Sequence, residues 1–119
     1  MREFLVGNKI KLLPSLREKK RYVAFKINSE ADFSRKQAEN GINMAILNYI
    51  GELGYARAGP ILVDFNKNKG VLRVNNKELN NVRASLSLVK TVENKKAFIS
   101  SITASGILNK ARKALEKEV

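Results

Sequence analysis

Arg17, Lys19, Lys20 and Arg21 put four cations within five residues, and the alternating stretch Tyr22-Val-Ala-Phe-Lys26 follows without a linker. Side chains of this type and density do one kind of chemistry: they neutralise a polyanion. A charge run in isolation is as often plain solvated surface. A flexible tail cannot direct its charges, whereas a basic run anchored at the mouth of a strand holds them in fixed positions. Tyr22 and Lys26 fall on the strand face opposite Val23, Phe25 and Ile27, which adds a ring and a further cation on the side away from the expected core.

A second constellation is Thr103-Ala-Ser105-Gly106 with Lys110, Arg112 and Lys113 behind it. Free N–H groups at a helix start attract anions and Ser105 adds a hydroxyl, although Ser-Gly before a helix is also ordinary capping. Arg73, on a short strand of its own, is a further candidate contact. Aromatic partners are missing around Arg73, so base stacking on the sheet is not expected, and recognition of RNA shape and phosphate fits better.

Other chemistry is largely closed. The chain has no Cys and no His, which removes disulfides, thiol catalysis, the usual general base and the commonest zinc ligand. Asp64, Glu52 and Glu78 are isolated, with no spacing that makes a metal pair or an acid–base couple, so solvated or capping roles are expected. Gly51-Glu-Leu-Gly54 lacks the Gly-Lys-Ser/Thr ending of a phosphate loop. No catalytic residue and no protein-bound metal or cofactor is expected.

Behind these candidates stands an excess of cations, 23 Lys and Arg against 11 Asp and Glu, a formal +12 over 119 residues. Half of that surplus sits in residues 1–26, which hold eight basic and two acidic side chains. Nucleic acid is the leading partner for such a chain, with an anionic membrane surface second. No apolar run approaches the length of a membrane span, and Phe4-Leu-Val6 is too short for a signal peptide, so a soluble, cytoplasmic protein is expected. The length suits one domain: an irregular leader over 1–15 and a single α/β domain over 16–119.

The elements that must position the cations follow from periodicity. Residues 20–28 alternate as a half-buried strand. Ser34 with Gln37 makes a capping box, followed by a helical stripe of Ala38, Ile42, Ala45, Ile46, Tyr49, Ile50 and Leu53, with Gly41 inside it for close packing and Gly54 at its end. A hairpin follows, with Ile61, Val63 and Phe65 on one side of its first strand, a turn over 66–70, and Val71 to Val74 as its second strand. Asn75 with Glu78 suggests a second capping box, before a helix carrying Leu79, Val82, Leu86 and Val89. Asn94-Lys-Lys96 turns into a strand over 97–104, and Ser105-Gly106 opens a last helix with Ile107, Leu108, Ala111 and Leu115. The order β-α-β-β-α-β-α predicts a ferredoxin-like α/β sandwich with both long helices on one face and the other face open unless the last helix covers it.

The string Leu13-Pro-Ser-Leu-Arg-Glu-Lys-Lys-Arg-Tyr-Val-Ala-Phe25 resembles the N-terminal signature of the archaeal ribonuclease P protein component 2 family. Gly51-Glu-Leu-Gly54 with Ala56, Val82-Arg-Ala-Ser-Leu-Ser-Leu-Val89 and Ser105-Gly-Ile107 with its basic helix agree with that family in order and spacing, over roughly residues 12–115. Where the family often has Ser-Gly-Thr-Ile, this chain has Ser105-Gly106-Ile107-Leu108 and lacks one hydroxyl. The resemblance implies an RNA-binding subunit of the ribonucleoprotein that removes 5′ leaders from precursor tRNA. It implies further that the RNA, with bound magnesium ions, is the catalyst. It also implies as partners the ribonuclease P RNA, ribonuclease P protein component 3 in a complex with two copies of each, other ribonuclease P protein subunits and, indirectly, precursor tRNA. On that reading Arg17, Lys19, Lys20, Arg21, Tyr22 and Lys26 contact RNA, with Arg73, Ser105, Lys110, Arg112 and Lys113 as a second region. The competing expectations are a protein–protein adaptor using the sheet face or an exposed stripe such as Met44 and Leu47, and, less favoured, a small metal-dependent nuclease.

Overall fold

Lys20–Asn28 forms an inner strand, β3, because its alternation lets it bury one set of side chains on each face while both edges pair. The structure is a computed structural model and describes residues 19–117, together with the backbone of two short antiparallel strands, Phe4–Val6 (β1) and Lys9–Lys11 (β2). The rest of the expected leader, and Arg17 near the start of the expected domain, lie outside the described residues.

After β3 come α1 (Arg35–Ala58), β4 (Ile61–Asn66), β5 (Lys69–Asn75), a 3₁₀ turn (Asn76–Glu78) and α2 (Leu79–Ser87). The small hairpin β6 (Thr91–Val92) and β7 (Lys95–Lys96) then leads to β8 (Phe98–Ser105) and α3 (Leu108–Glu116). The main sheet has the order β4-β5-β3-β8 with every neighbour antiparallel. Each β-α-β unit leaves a slot between its two strands that a strand of the other unit fills. This is the expected split, ferredoxin-like arrangement.

Local chemistry places the elements. Ser34 Oγ accepts from Gln37 N–H at 3.2 Å and Gln37 Oε1 accepts from Ser34 N–H at 3.0 Å, which completes the expected capping box. The β4–β5 hairpin turns through Lys67 and Asn68, both at positive φ (51° and 62°), as a two-residue turn matched to the strand twist requires. Asn68 also ties the turn to the chain ahead of α1, accepting from Phe33 N–H at 3.0 Å and donating to the Ala31 carbonyl at 2.8 Å.

Packing corrects several local expectations. The first helix does not end at Gly54: it is interrupted at Gly51 (φ 75°, ψ 178°), resumes, and stops at Gly59, whose left-handed φ of 52° suits a C-terminal cap. Tyr49 and Leu53, assigned to the buried stripe, are half or more exposed. In β4 a bulge falls at Val63, so the alternation changes phase and Leu62 and Phe65 turn to the core while Ile61 is exposed. Asn75 caps the 3₁₀ turn through Lys77 N–H, and the reciprocal Glu78 bond of a capping box is not made. The turn expected at 94–96 falls instead at Glu93 and Asn94, and β8 runs to Ser105, with α3 starting at Leu108. Gly41 does meet a close neighbour, since a Cβ there would lie 3.0 Å from Val92 Cγ1.

The main core lies between the sheet and the α1/α2 layer. Val23, Phe25, Ile27, Leu72 and Val74 from the sheet meet Ala38, Ile42 and Ile46 of α1 and Val82 and Leu86 of α2. The other face is not open. There α3 covers Ala24 and Val71 with Ala111, and Tyr22, Ile102, Leu108 and Leu115 fill in around them.

Candidate nucleic-acid interface

The start of β3 delivers the basic run to one end of the sheet. Lys19 is exposed and its carbonyl accepts from Asn76 N–H at 2.7 Å, which fixes the backbone where the run enters the fold. Lys20 stands opposite Asn75 and Arg21 opposite Val74. The Arg21 guanidinium reaches over to Gly106: a Cβ on that glycine would lie 2.8 Å from Arg21 Nη1, so the missing side chain makes room for the cation. Arg21 and Gly106 are 85 residues apart in sequence, yet the segments that hold them share one border of the molecule.

Tyr22, Arg73 and Ser105 form a single row across β3, β5 and β8 on the α3 face, with Tyr22 directly opposite each of the others. The ring of Tyr22 packs against the α3 cluster and so serves as floor to the basic end. Arg73 is half-buried, and its Nε has no hydrogen-bond partner among the described residues. Ser105 Oγ accepts from Ile107 N–H at 3.0 Å, a turn ahead of the helix and not the expected cap, because the N-cap of α3 is Ile107 and no side chain bonds to it as a cap. Lys26 lies at the far end of the same face, opposite Lys69 and Ser100.

The helix α3 divides its cations between two sides. Arg112 faces β4, where Nε donates to Asp64 Oδ2 at 2.6 Å and Nη2 to Asp64 Oδ1 at 3.2 Å. This bidentate bond holds the Arg112 guanidinium above its ordinary pKa range, with the hydrogen bond the main cause, partial desolvation opposing it and the attraction of the Asp64 charge adding to it. Lys110 and Lys113 face the other way, over β8. With Lys117 they line an open groove of about 540 Å³ whose remaining walls are Ile102, Thr103 and Ala114. Lys117 was missed in the sequence. The signal was there: residues 110, 113 and 117 are spaced by three and four and share one helix face, whereas 112 does not.

Two of the three carboxylates named in the sequence are engaged, each separately. Asp64 holds Arg112, and Glu78 lies 3.9 Å from Arg57 Nε and accepts from Asn81 Nδ2 at 3.3 Å. Among the described residues no group of three or more acidic, His or Cys side chains converges as a metal site, and no helix is long and apolar enough to cross a membrane. The cations at the start of β3 and along α3 carry the charge that attracts an anion.

Comparison with known proteins agrees with this architecture. A chain in the cryo-EM structure of yeast ribonuclease MRP superposes with a TM-score of 0.64, covering 83% of this chain and 87% of that one at 14% identity, a likeness of fold. Archaeal proteins named ribonuclease P protein component 2 are similar along most of their length. The Methanococcus maripaludis C5 protein is 43% identical over 89% of this chain and 79% of its own. For the Pyrococcus furiosus protein the figures are 36%, 86% and 87%, and for that of Methanocaldococcus jannaschii 38%, 85% and 75%. The family model described as Rpp14/Pop5 matches residues 21–116, from Arg21 through the end of α3, and with these relatives it establishes that the chain belongs to the Rpp14/Pop5 family.

Proposed function

We propose that this chain is the RNA-binding protein subunit of ribonuclease P, the ribonucleoprotein that removes 5′ leaders from precursor tRNA. The relatives named ribonuclease P protein component 2 support the subunit role. The observation that carries the RNA contact is the approach of Arg21 to Gly106, just ahead of α3, which merges the two basic segments into one border on a chain of formal charge +12. Lys19, Lys20, Arg21 and Arg73 grip phosphates at the sheet end, with Lys110 and Lys113 continuing the contact along α3. Arg112 serves mainly to clamp α3 to β4. Catalysis belongs to the RNA and its magnesium ions, and the protein stabilises the active RNA fold in the cytoplasm. Ribonuclease P protein component 3 is the proposed protein partner, in a complex with two copies of each, alongside other ribonuclease P protein subunits.

Reconstitution tests the reading. The protein is mixed with ribonuclease P RNA and the partner subunits, and cleavage of precursor tRNA is followed with and without it. Cleavage that depends on the protein is expected, and cleavage that proceeds equally without it overturns the subunit role. If six phosphates are neutralised on duplex-like RNA, the log of the affinity falls against log salt with a slope of about −5. The double variant Lys19→Glu, Lys20→Glu should weaken RNA binding and reconstitution at least tenfold while leaving the circular dichroism spectrum unchanged.

A further inference from the structure

The groove between α3 and β8 joins a lysine row to a strand edge that carries a hydroxyl. Three exposed lysines, Lys110, Lys113 and Lys117, stand along one wall, and the seven-residue span places them over about 10 Å of helix. The opposite wall is β8, the outer strand of the sheet, which pairs only with β3 and leaves its other edge without a neighbouring strand among the described residues. Thr103 lines the groove on the α3 face, opposite Ala24, and its hydroxyl has no hydrogen-bond partner among the described residues, whereas Ser100 accepts from Asn28 and Ser105 from Ile107. The groove contains no aromatic ring.

We propose that this groove holds one sugar–phosphate strand of RNA, with the three lysines on consecutive phosphates and the Thr103 hydroxyl, helped by the free edge of β8, bonded to ribose 2′-hydroxyls. The inference rests on the RNA-binding reading above and adds the form of the ligand: a single backbone, read without base contacts and distinguished from DNA by its 2′-OH. Lysines supply charge without regard to sequence, and the 2′-hydroxyl, both donor and acceptor, is the group that separates RNA from DNA at such a site. An acidic peptide added as a further strand is the alternative that a free edge and a lysine row invite. The register of β8 argues against it. Ile102 is an extra residue between Ser101, opposite Phe25, and Thr103, opposite Ala24, and a bulge of this kind breaks the regular outer ladder an added strand needs. A ribose-phosphate chain needs isolated donors and acceptors and tolerates the break.

The test uses the full chain and three 15-nucleotide probes of one sequence: RNA, DNA and 2′-O-methyl RNA. Wild type should bind RNA about fivefold more tightly than either analogue, the effect of one or two hydrogen bonds. Lys110→Gln, Lys113→Gln, Lys117→Gln together should reduce the salt slope by about 2, at roughly 0.7 per lysine on a single strand. Thr103→Val, which keeps the shape, should bring RNA affinity down to that of DNA with the salt slope unchanged. Equal affinity of wild type for the three probes overturns the 2′-OH assignment, and an unchanged slope in the triple variant overturns the groove. So does binding of an acidic peptide that the triple variant abolishes while RNA binding persists. If Lys19→Glu, Lys20→Glu weakens RNA binding while the triple variant does not, the groove inference fails and the RNA-binding reading stands. If neither set of changes alters RNA binding, both fail.

Discussion

The two faces of the sheet are built to different specifications. On one, α1 and α2 press a continuous apolar layer onto Val23, Phe25, Ile27, Leu72 and Val74, all nearly or fully inaccessible. On the other, a single nine-residue helix covers only Ala24 and Val71 completely and is tied down by one exposed, bidentate Arg112–Asp64 pair. The difference separates two jobs. Stability resides in the face where water is excluded, because burial of apolar area is the dominant favourable term. The lightly covered face carries Lys110, Lys113 and Lys117 exposed to solvent along α3.

Variants on the two faces should break in different ways. The largest effect is expected on the first face: Phe25→Ala removes a fully buried ring that stacks with Phe65 at a centroid distance of 6.4 Å and should cost about 3–5 kcal/mol, read as a shift in urea midpoint, with RNA binding lost only as the fold is lost. A midpoint unchanged within error would show that the α1/α2 face is not the seat of stability. A smaller effect is expected from trimming α3. Leu108→Ala and Leu115→Ala, both partly buried, should each cost on the order of 1 kcal/mol. In hydrogen exchange the α3 amides should open before those of α1, and the two variants should widen that gap. Exchange of α3 and α1 as one unit would contradict the division.

The smallest effect is expected from the clamp. Arg112→Gln should lower the melting temperature by less than either leucine change, because the pair is solvent-exposed. Its pH behaviour follows from the raised folded pKa of Arg112. The stability from that charge is fully present below the unfolded guanidinium value and is lost only as pH rises through the folded one, so this pair gives no titration of stability through arginine across the neutral range. Difference melting curves of wild type and Arg112→Gln that diverge near neutral pH would assign the titration to another group.

Much of the fold was legible because its signals are local. Ser34 and Gln37 satisfy each other's orphan backbone groups within four residues, and the alternation of Val23, Phe25 and Ile27 needs only the period of a strand. The phase of β4 was not legible. Ile61, Val63 and Phe65 read as one face, and the bulge that exposes Ile61 exists because β4 must match β5, which is a relation between strands. The break at Gly51 was similarly hidden: Gly54 and Gly59 are equally good helix stops in sequence, and packing of Ala58 into the core decides which is used.

The site divides in the same way. The count of cations, the absence of His and Cys, the element order and the placement of a basic run against a strand are properties of the chain as written, since composition and short-range periodicity need no partner. Which cations remain available is not. Arg112 is taken by Asp64 from 48 positions away, Lys117 joins Lys110 and Lys113 only when α3 lies along β8, and Arg21 meets Gly106 only when the ends of β3 and β8 come side by side. A charge's function depends on what stands within a few ångströms of it, and that neighbourhood is set by tertiary packing.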